Sequence, residues 1–152
     1  VLGRLSPFYI ETWYSSDEQR VLFAVYYGPY TSNGGSDMGV GQGGAQAALF
    51  DCLCAMCAGM AQGSPRQRLV TASLSVQMRA PVTPIPGAFR AEAWLHSSEG
   101  RKITVRAQIT RGGAEPVLAS AEALHLTLPA DGSQGTAGGA DKQVRRTTQS
   151  RL

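Results

Sequence analysis

The clearest pattern in this chain is an alternation of apolar and polar residues through its second half. Residues 70–78, 89–95 and 103–109 each carry an apolar side chain at every second position. This period matches a β-strand, in which successive side chains point to opposite faces. Residues 21–27, which are apolar, β-branched and aromatic, and residues 117–128 read as two further strands. The pattern therefore predicts strands with one face buried.

Residues 45–61 follow a different pattern. Apolar side chains occupy nearly every helical face and proline is absent, which predicts a helix buried on most sides. Residues 28–44 precede it as a long glycine-rich loop, and such loops are often functional. The order of strand, loop, helix and antiparallel meander predicts an α+β fold in which a curved antiparallel sheet wraps around one long buried helix. One sheet face stays open, so we expect subunits to pair.

The two ends of the chain differ from its middle. Residues 1–129 are assigned to one domain, in which residues 1–20 form a lead-in segment that packs on the domain and can include a short helix. Residues 130–152 are rich in glycine, serine and threonine and lack aromatic side chains, so we expect a flexible basic tail.

Charge and composition exclude several classes of function. The tail holds four basic and two acidic residues and supplies two of the three net positive charges, so the domain itself is nearly neutral. A nucleic-acid binder is expected to cluster basic residues on a folded face, and no such cluster is visible. No long uninterrupted apolar run predicts a membrane span. Three cysteines, all within residues 52–57, favour a reducing compartment over a disulfide framework.

The predicted helix contains a single carboxylate, Asp51, among apolar residues. A buried carboxylate is costly unless it is paired or hydrogen-bonded, so Asp51 is either a functional group or a structural partner for a loop or an arginine. Gly43 and Gly44 precede the helix, where backbone amides lack intrahelical partners and the helix dipole is positive. These amides are a candidate oxyanion site, or simply a turn. Because Gly43 and Asp51 are separated by about 12 Å along the helix axis, Asp51 is better placed to serve the helix start of a second copy.

The stretch Gln42-Gly43-Gly44-Ala45 leading to Asp51 resembles the His-Gly-Gly-Ala…Asp motif of PaaI-like hotdog-fold thioesterases. The resemblance continues through residues 70–76 and 79–82 and covers about residues 20–128. The step at residues 28–30 is also similar to the mammalian thioesterase-superfamily branch, whose members hydrolyse long-chain acyl-CoA. The resemblance implies the hotdog fold and hydrolysis of an acyl-CoA thioester to a free acid and coenzyme A.

The resemblance also implies roles for individual residues. Asp51 is expected to act as general base or nucleophile, with Gly43 as the oxyanion amide of the partner subunit and Thr71 placing the attacking water. Gln42 stands where the family usually has His, and an amide cannot carry a proton. Non-catalytic binding or sensing of acyl-CoA is therefore the alternative. The remaining candidates for contact with the substrate are Gly44, Ser36, Arg79, Arg101 and Lys102.

The same resemblance implies a homodimer or homotetramer with shared active sites. No metal and no cofactor are expected, because coenzyme A is part of the substrate. His96 and His125 lie in predicted strands and are interpreted as packing residues.

The last three residues, Ser150-Arg151-Leu152, are similar to a peroxisomal address read by an import receptor. We therefore expect a peroxisome or glycosome, with the cytoplasm or mitochondrion as alternatives. The chain begins without Met, so removal of an N-terminal targeting segment stays open.

Overall fold

A computed structural model describes residues 8–33, 39–62, 68–113 and 116–128. Ser36, the tail from residue 130 and the last three residues lie outside this part of the chain. In chain order the elements are β1 (Phe8–Ser15), β2 (Arg20–Tyr27), a short 3-10 helix (Pro29–Thr31), β3 (Ser32–Asn33), β4 (Val40–Gly41), α1 (Gly43–Gln62), β5 (Arg68–Met78), β6 (Gly87–Glu99), β7 (Lys102–Thr110) and β8 (Ala119–Leu128).

The long strands form one six-stranded antiparallel sheet in the order β1-β2-β6-β7-β8-β5. Helix α1 contacts five of these strands, from β2 across to β5. This confirms the predicted fold class, a curved antiparallel sheet wrapped around one long helix.

The core lies between α1 and the concave face of the sheet. The helix buries Leu49, Phe50 and Leu53, and burying each of these contributes about 1.5–3 kcal/mol. The central strands face the helix largely with small side chains, which leave room for a helix to approach the sheet. These are Ala91, Ala93, Ala107, Ala119, Ala121 and Ala123.

The composition of α1 suggested a helix buried on most sides, but one side of the helix is exposed. Ala48, Cys52, Met56 and Met60, spaced four residues apart, form an exposed stripe, and the two methionines are 39% and 41% accessible. By length and hydropathy alone α1 could cross a membrane. Its other faces, however, pack against the sheet as the core helix of a globular domain.

The structure adds strands that the sequence pattern did not predict and changes the place of one that it did predict. The later part of the predicted lead-in is a strand, because β1 pairs with β2 along its whole length from Phe8 to Ser15. The loop before α1 contains the short pair β3–β4. Strands β6, β7 and β8 do form a meander, but β5 is not part of it, since β5 lies beyond β8 at the edge of the sheet.

A connection of eight residues leads from β5, at the edge of the sheet, back to β6, three positions away in the strand order. Residues 79–86 contain three prolines and no glycine, and two peptide bonds, Thr83–Pro84 and Ile85–Pro86, are cis. The segment crosses the end of the sheet and is tied to the β4 region. Gly41 donates its N–H to the Val82 carbonyl at 2.9 Å, and Gly39 pairs with Ile85. The connection thereby packs beside the start of α1.

Strand β5 contains a bulge that changes which side chains face the helix. Thr71 pairs with His125 but Ser73 pairs with Leu124, so Ala72 is an extra residue in β5. Leu69 packs on the core before the bulge, and Leu74 and Val76 pack on it afterwards, which uninterrupted alternation does not allow. The prediction that Val70 shares a buried face with Leu74 was therefore wrong, since Val70 is 39% exposed.

Candidate active site at the edge of the sheet

Asp51 and Thr71, two residues singled out from the sequence, are in direct contact. The Thr71 hydroxyl donates a hydrogen bond to Asp51 Oδ1 at 2.9 Å. The β5 bulge makes this contact possible, because it places Thr71 on the helix-facing side together with Leu74. A carboxylate on the helix and a hydroxyl on an edge strand thus form one polar pair.

The Asp51 carboxylate is only partly buried, whereas its neighbours Phe50 and Leu53 are fully buried. Thr71 is exposed on β5. The pair therefore lies at the border between the core and the open edge of the sheet, where a ligand can reach it. A carboxylate oxygen held by a hydroxyl donor has its geometry fixed while its other oxygen stays available for proton transfer or nucleophilic attack.

A third polar residue, His125, completes this group. Its ring is fully buried on β8 directly opposite Thr71, and its Nδ1 atom lies 3.5 Å from the Thr71 hydroxyl oxygen. Burial lowers the pKa of His125, and the nearby Asp51 charge offsets only part of that effect. The imidazole is therefore neutral near pH 7.

The interpretation of His125 as a packing residue missed its contact with Thr71. One signal was present in the sequence, because His125 follows Ala119, Ala121 and Ala123 at two-residue spacing and so shares their inward face. The sequence did not contain the strand register that places it opposite Thr71. His96, in contrast, is exposed at the irregularity of β6.

The predicted oxyanion amides lie at the first residues of α1. The helix begins at Gly43, and both Gly43 and Gly44 are exposed. A Cβ atom on Gly44 would meet nothing within 4 Å, and one on Gly43 would lie 3.7 Å from Met78 Cε, an ordinary contact. Packing inside the chain does not require glycine here, so the space above these amides is open to a ligand.

Gln42 ties the start of the helix to the preceding strand. Its side-chain Nε2 donates to the Ser32 carbonyl at 3.1 Å, and its backbone N–H donates to the Thr31 carbonyl at 2.7 Å. Its own carbonyl accepts the Gln46 N–H at 3.0 Å, which is the first helical hydrogen bond. The structure therefore gives Gln42 a role in fixing the helix terminus.

The three predicted cations fall in two places. Arg79 donates to Ser120 Oγ at 3.2 Å and to Gln77 at 3.4 Å, on the sheet face opposite α1. There it lines a cavity of about 430 Å³, separated by the sheet from Asp51. Arg101 and Lys102 lie in and just after the β6–β7 turn, where Lys102 pairs with Leu126, the neighbour of His125. Of the three predicted cations, Arg101 and Lys102 lie at the Thr71 end of the sheet and Arg79 does not. Ser36 lies outside the described residues.

The two buried cysteines of α1 are poor candidates for chemistry. Burial raises the pKa of Cys54 to about 12, with smaller contributions from Cys57 and Asp51, and burial raises the pKa of Cys57 to about 11. Both thiols therefore stay protonated at neutral pH. Among the described residues, no group of three histidine, cysteine or acidic side chains is placed to hold a metal ion.

Comparison with solved structures places this architecture among the hotdog folds. A thioesterase-superfamily protein from Shewanella loihica superposes with a TM-score of 0.61 at 20% identity, over 79% of this chain and 91% of the other. A phenylacetic acid degradation-related protein from Ralstonia eutropha gives 0.64 at 18% identity, over 78% and 83%. A Bacillus halodurans protein solved with CoA gives 0.62 at 21% identity, over 79% and 74%.

No family model matches the sequence, and no curated protein matches it either. The similarity is thus one of fold: the chain has the hotdog fold of PaaI-like thioesterases.

Proposed function

We propose that this protein hydrolyses an acyl-CoA thioester, with Asp51 as general base or nucleophile. The observation that carries the proposal is the 2.9 Å hydrogen bond from the Thr71 hydroxyl to Asp51 Oδ1 at the open edge of the sheet. A carboxylate oriented in this way can take a proton from water or attack the thioester carbonyl directly. The hotdog fold and the similar Bacillus halodurans protein solved with CoA support coenzyme A as the leaving group.

The second part of the proposed site is a glycine amide that stabilises the developing oxyanion. The exposed Gly43 and Gly44 at the start of α1 offer backbone donors in the positive end of the helix dipole. Asp51 lies two helical turns further on, about 12 Å along the axis, which is too far for one helix to serve both functions. The amide that works with Asp51 is therefore assigned to a second copy of the chain.

Two exposed apolar features support pairing with a second copy. Strand β5 is an edge strand and exposes Val70 and Met78, and α1 exposes the stripe that includes Met56 and Met60. An uncovered edge strand with apolar side chains favours association with another chain. A homodimer or homotetramer with shared active sites would cover these residues and bring Gly43 of one copy towards Asp51 of the other.

Complementation tests the shared site. We expect Asp51→Asn and Gly43→Leu to be inactive separately and to regain activity after the two proteins are mixed and exchange subunits. A random mixture of dimers would restore about one quarter of the sites. If each variant is inactive alone and no mixture is active although subunits exchange, the two residues act within the same copy.

Arg101 and Lys102 are the better candidates for the coenzyme A phosphates, because they lie near the Thr71 end of the sheet. Arg79 engages Ser120 and Gln77 at the end of β5 that is far from Thr71, and is the weaker candidate. Replacing Arg101 or Lys102 with Gln should raise KM for acyl-CoA while a substrate lacking the nucleotide is unaffected. Equal effects on both substrates would remove these residues from phosphate binding.

The direct test of the proposed activity is thiol release from acyl-CoA substrates of different chain lengths. Asp51→Asn keeps an oxygen that accepts from Thr71, so the fold is preserved, and we expect kcat to fall by at least about 100-fold. Asp17→Asn, in the exposed β1–β2 turn, is the matched control and should leave turnover unchanged. Full activity of Asp51→Asn would refute the assignment.

Gln42 supports a second candidate, binding or sensing of acyl-CoA without turnover. Its amide carries no titratable proton and is already engaged with the Ser32 carbonyl. Tight binding of acyl-CoA without thiol release over hours would favour this candidate over the enzyme.

The Ser150-Arg151-Leu152 terminus supports targeting to peroxisomes or glycosomes, and a reporter bearing these residues, with and without Leu152, tests that proposal.

A further inference from the structure

His125 is a polar residue in an otherwise apolar part of the core. Its side chain has no solvent exposure, and the neighbour opposite it on β7 is Ile103. Among the described residues Nε2 has no hydrogen-bond partner, and the Thr71 hydroxyl oxygen lies 3.5 Å from Nδ1. Burying an imidazole costs solvation energy that an aliphatic side chain would not cost, so this single contact is what distinguishes His125 from a packing residue.

The direction of the contact follows from counting protons. The Thr71 hydroxyl has one proton and donates it to Asp51 Oδ1 at 2.9 Å. Its oxygen therefore offers only lone pairs to His125, and the contact is attractive only when Nδ1 carries the imidazole proton. Because burial lowers the pKa of His125, the ring is neutral and has one N–H to donate.

We infer that His125 is a positioning residue for the Asp51 carboxylate and acts through Thr71. A donor chain runs from His125 Nδ1–H to Thr71 Oγ1 and from the Thr71 hydroxyl to Asp51 Oδ1. It holds the Thr71 hydroxyl in one rotamer and leaves the second oxygen of Asp51 for water or the thioester carbonyl. This inference rests on the proposed function, and His125 itself does not touch the substrate.

The fold holds the three residues in register. Thr71 and His125 are paired residues on neighbouring antiparallel strands, and the bulge after Thr71 keeps its side chain turned towards α1. Asp51 is on the helix that packs against both strands. Each residue is thus on a separate regular element, an arrangement that limits movement of the carboxylate.

Two substitutions separate the hydrogen bond from packing. Asn at position 125 keeps an N–H donor close to the position of Nδ1, and Leu removes the donor while keeping an apolar side chain. We expect His125→Leu to lower kcat by roughly 3- to 10-fold with little change in KM, the range for loss of one hydrogen bond. His125→Asn should stay within about twofold of the original protein. Equal losses in both variants would overturn the inference.

A double-mutant cycle tests whether His125 acts through Thr71. In the Thr71→Val protein the hydroxyl is absent, so His125→Leu should cause no further loss of kcat. If His125 served packing alone, His125→Leu would lower kcat by the same factor in both backgrounds, and would lower the melting temperature by the same amount in both. Multiplicative losses of kcat would therefore contradict the proposed role.

The tautomer of His125 provides a readout that does not depend on turnover. Nitrogen-15 NMR of the full chain should show the Nδ1–H form, and Thr71→Val should shift the ring towards the Nε2–H form. A dominant Nε2–H form in the original protein overturns the inference, whatever the activity. Absence of thiol release, or full activity of Asp51→Asn, contradicts the proposed function instead, and the tautomer then still decides whether the donor chain exists.

Discussion

The hydroxyl group of Thr71 offers the sharpest test of the proposed chemistry. Thr71→Val removes the hydroxyl and leaves a side chain of nearly the same shape, and Thr71→Ser keeps the hydroxyl but removes a methyl group. The structure gives this hydroxyl one donor bond, to Asp51 Oδ1 at 2.9 Å. The two variants therefore differ in the feature that orients the carboxylate.

The expected size of the effect follows from the geometry. A hydrogen bond to a charged group contributes about 1.5–3 kcal/mol. Thr71 is exposed, so water competes for the carboxylate and the lower end of that range applies. A loss of about 1.5 kcal/mol in the transition state lowers kcat roughly tenfold. Thr71→Ser should lose less, about two- to threefold, because the unbranched hydroxyl has more rotamer freedom.

The assay is steady-state thiol release, with thermal unfolding as the control for the fold. Valine suits an exposed strand position at least as well as threonine, so the melting temperature should change little. Unchanged kcat in Thr71→Val would refute the idea that the hydroxyl orients Asp51. A Thr71→Ser protein as impaired as Thr71→Val would show that the hydroxyl alone does not orient Asp51 and that the methyl group is needed as well.

Three further predictions concern the helix start, the core and the outer face of the sheet. Gly43→Ala should lower turnover without loss of stability, because its Cβ fits beside Met78 but occupies the space above the amide. Its control is Gly59→Ala, at an exposed helical position with nothing within 4 Å of the added Cβ, which should stabilise the protein by about 1 kcal/mol and leave activity intact. Equal activity of the two variants would remove Gly43 from the site. Leu53→Ala should cost about 2–5 kcal/mol of unfolding free energy in urea, and a cost under about 1 kcal/mol would contradict its place in the core. Burial acts to raise the pKa of Glu92, but hydrogen bonds from Gln108 and Arg90 and the nearby arginine charges outweigh it, and the pKa is lowered overall. The ionised form therefore stabilises the fold above the unfolded-state pKa, and this contribution is lost as pH falls through the folded-state pKa. Between neutral and acidic pH the unsubstituted protein should lose more unfolding free energy than Glu92→Gln. Parallel profiles of unfolding free energy against pH would contradict this.

The fold class follows largely from local pattern. Two-residue periodicity identified β5, β6 and β7, and the apolar composition of residues 45–61 identified α1, whose observed bounds are Gly43–Gln62. Both patterns can be recognised without knowledge of tertiary contacts, because burial of one strand face or of a helix requires apolar residues at regular positions in the sequence. The same local reading singled out Asp51, since a lone carboxylate contrasts with its apolar neighbours.

Strand neighbours and register were decided only in three dimensions. Periodicity reports which side chains share a face, but it does not report which strand lies beside which, so β5 was placed in the meander and not at the edge. Regular alternation likewise assigned Thr71 to the outer face. A single extra residue, Ala72, reverses that assignment, and a bulge has no signature in the alternation because it arises from pairing with β8. The contact between Thr71 and Asp51, and the position of His125 behind it, therefore depend on hydrogen bonding between distant segments.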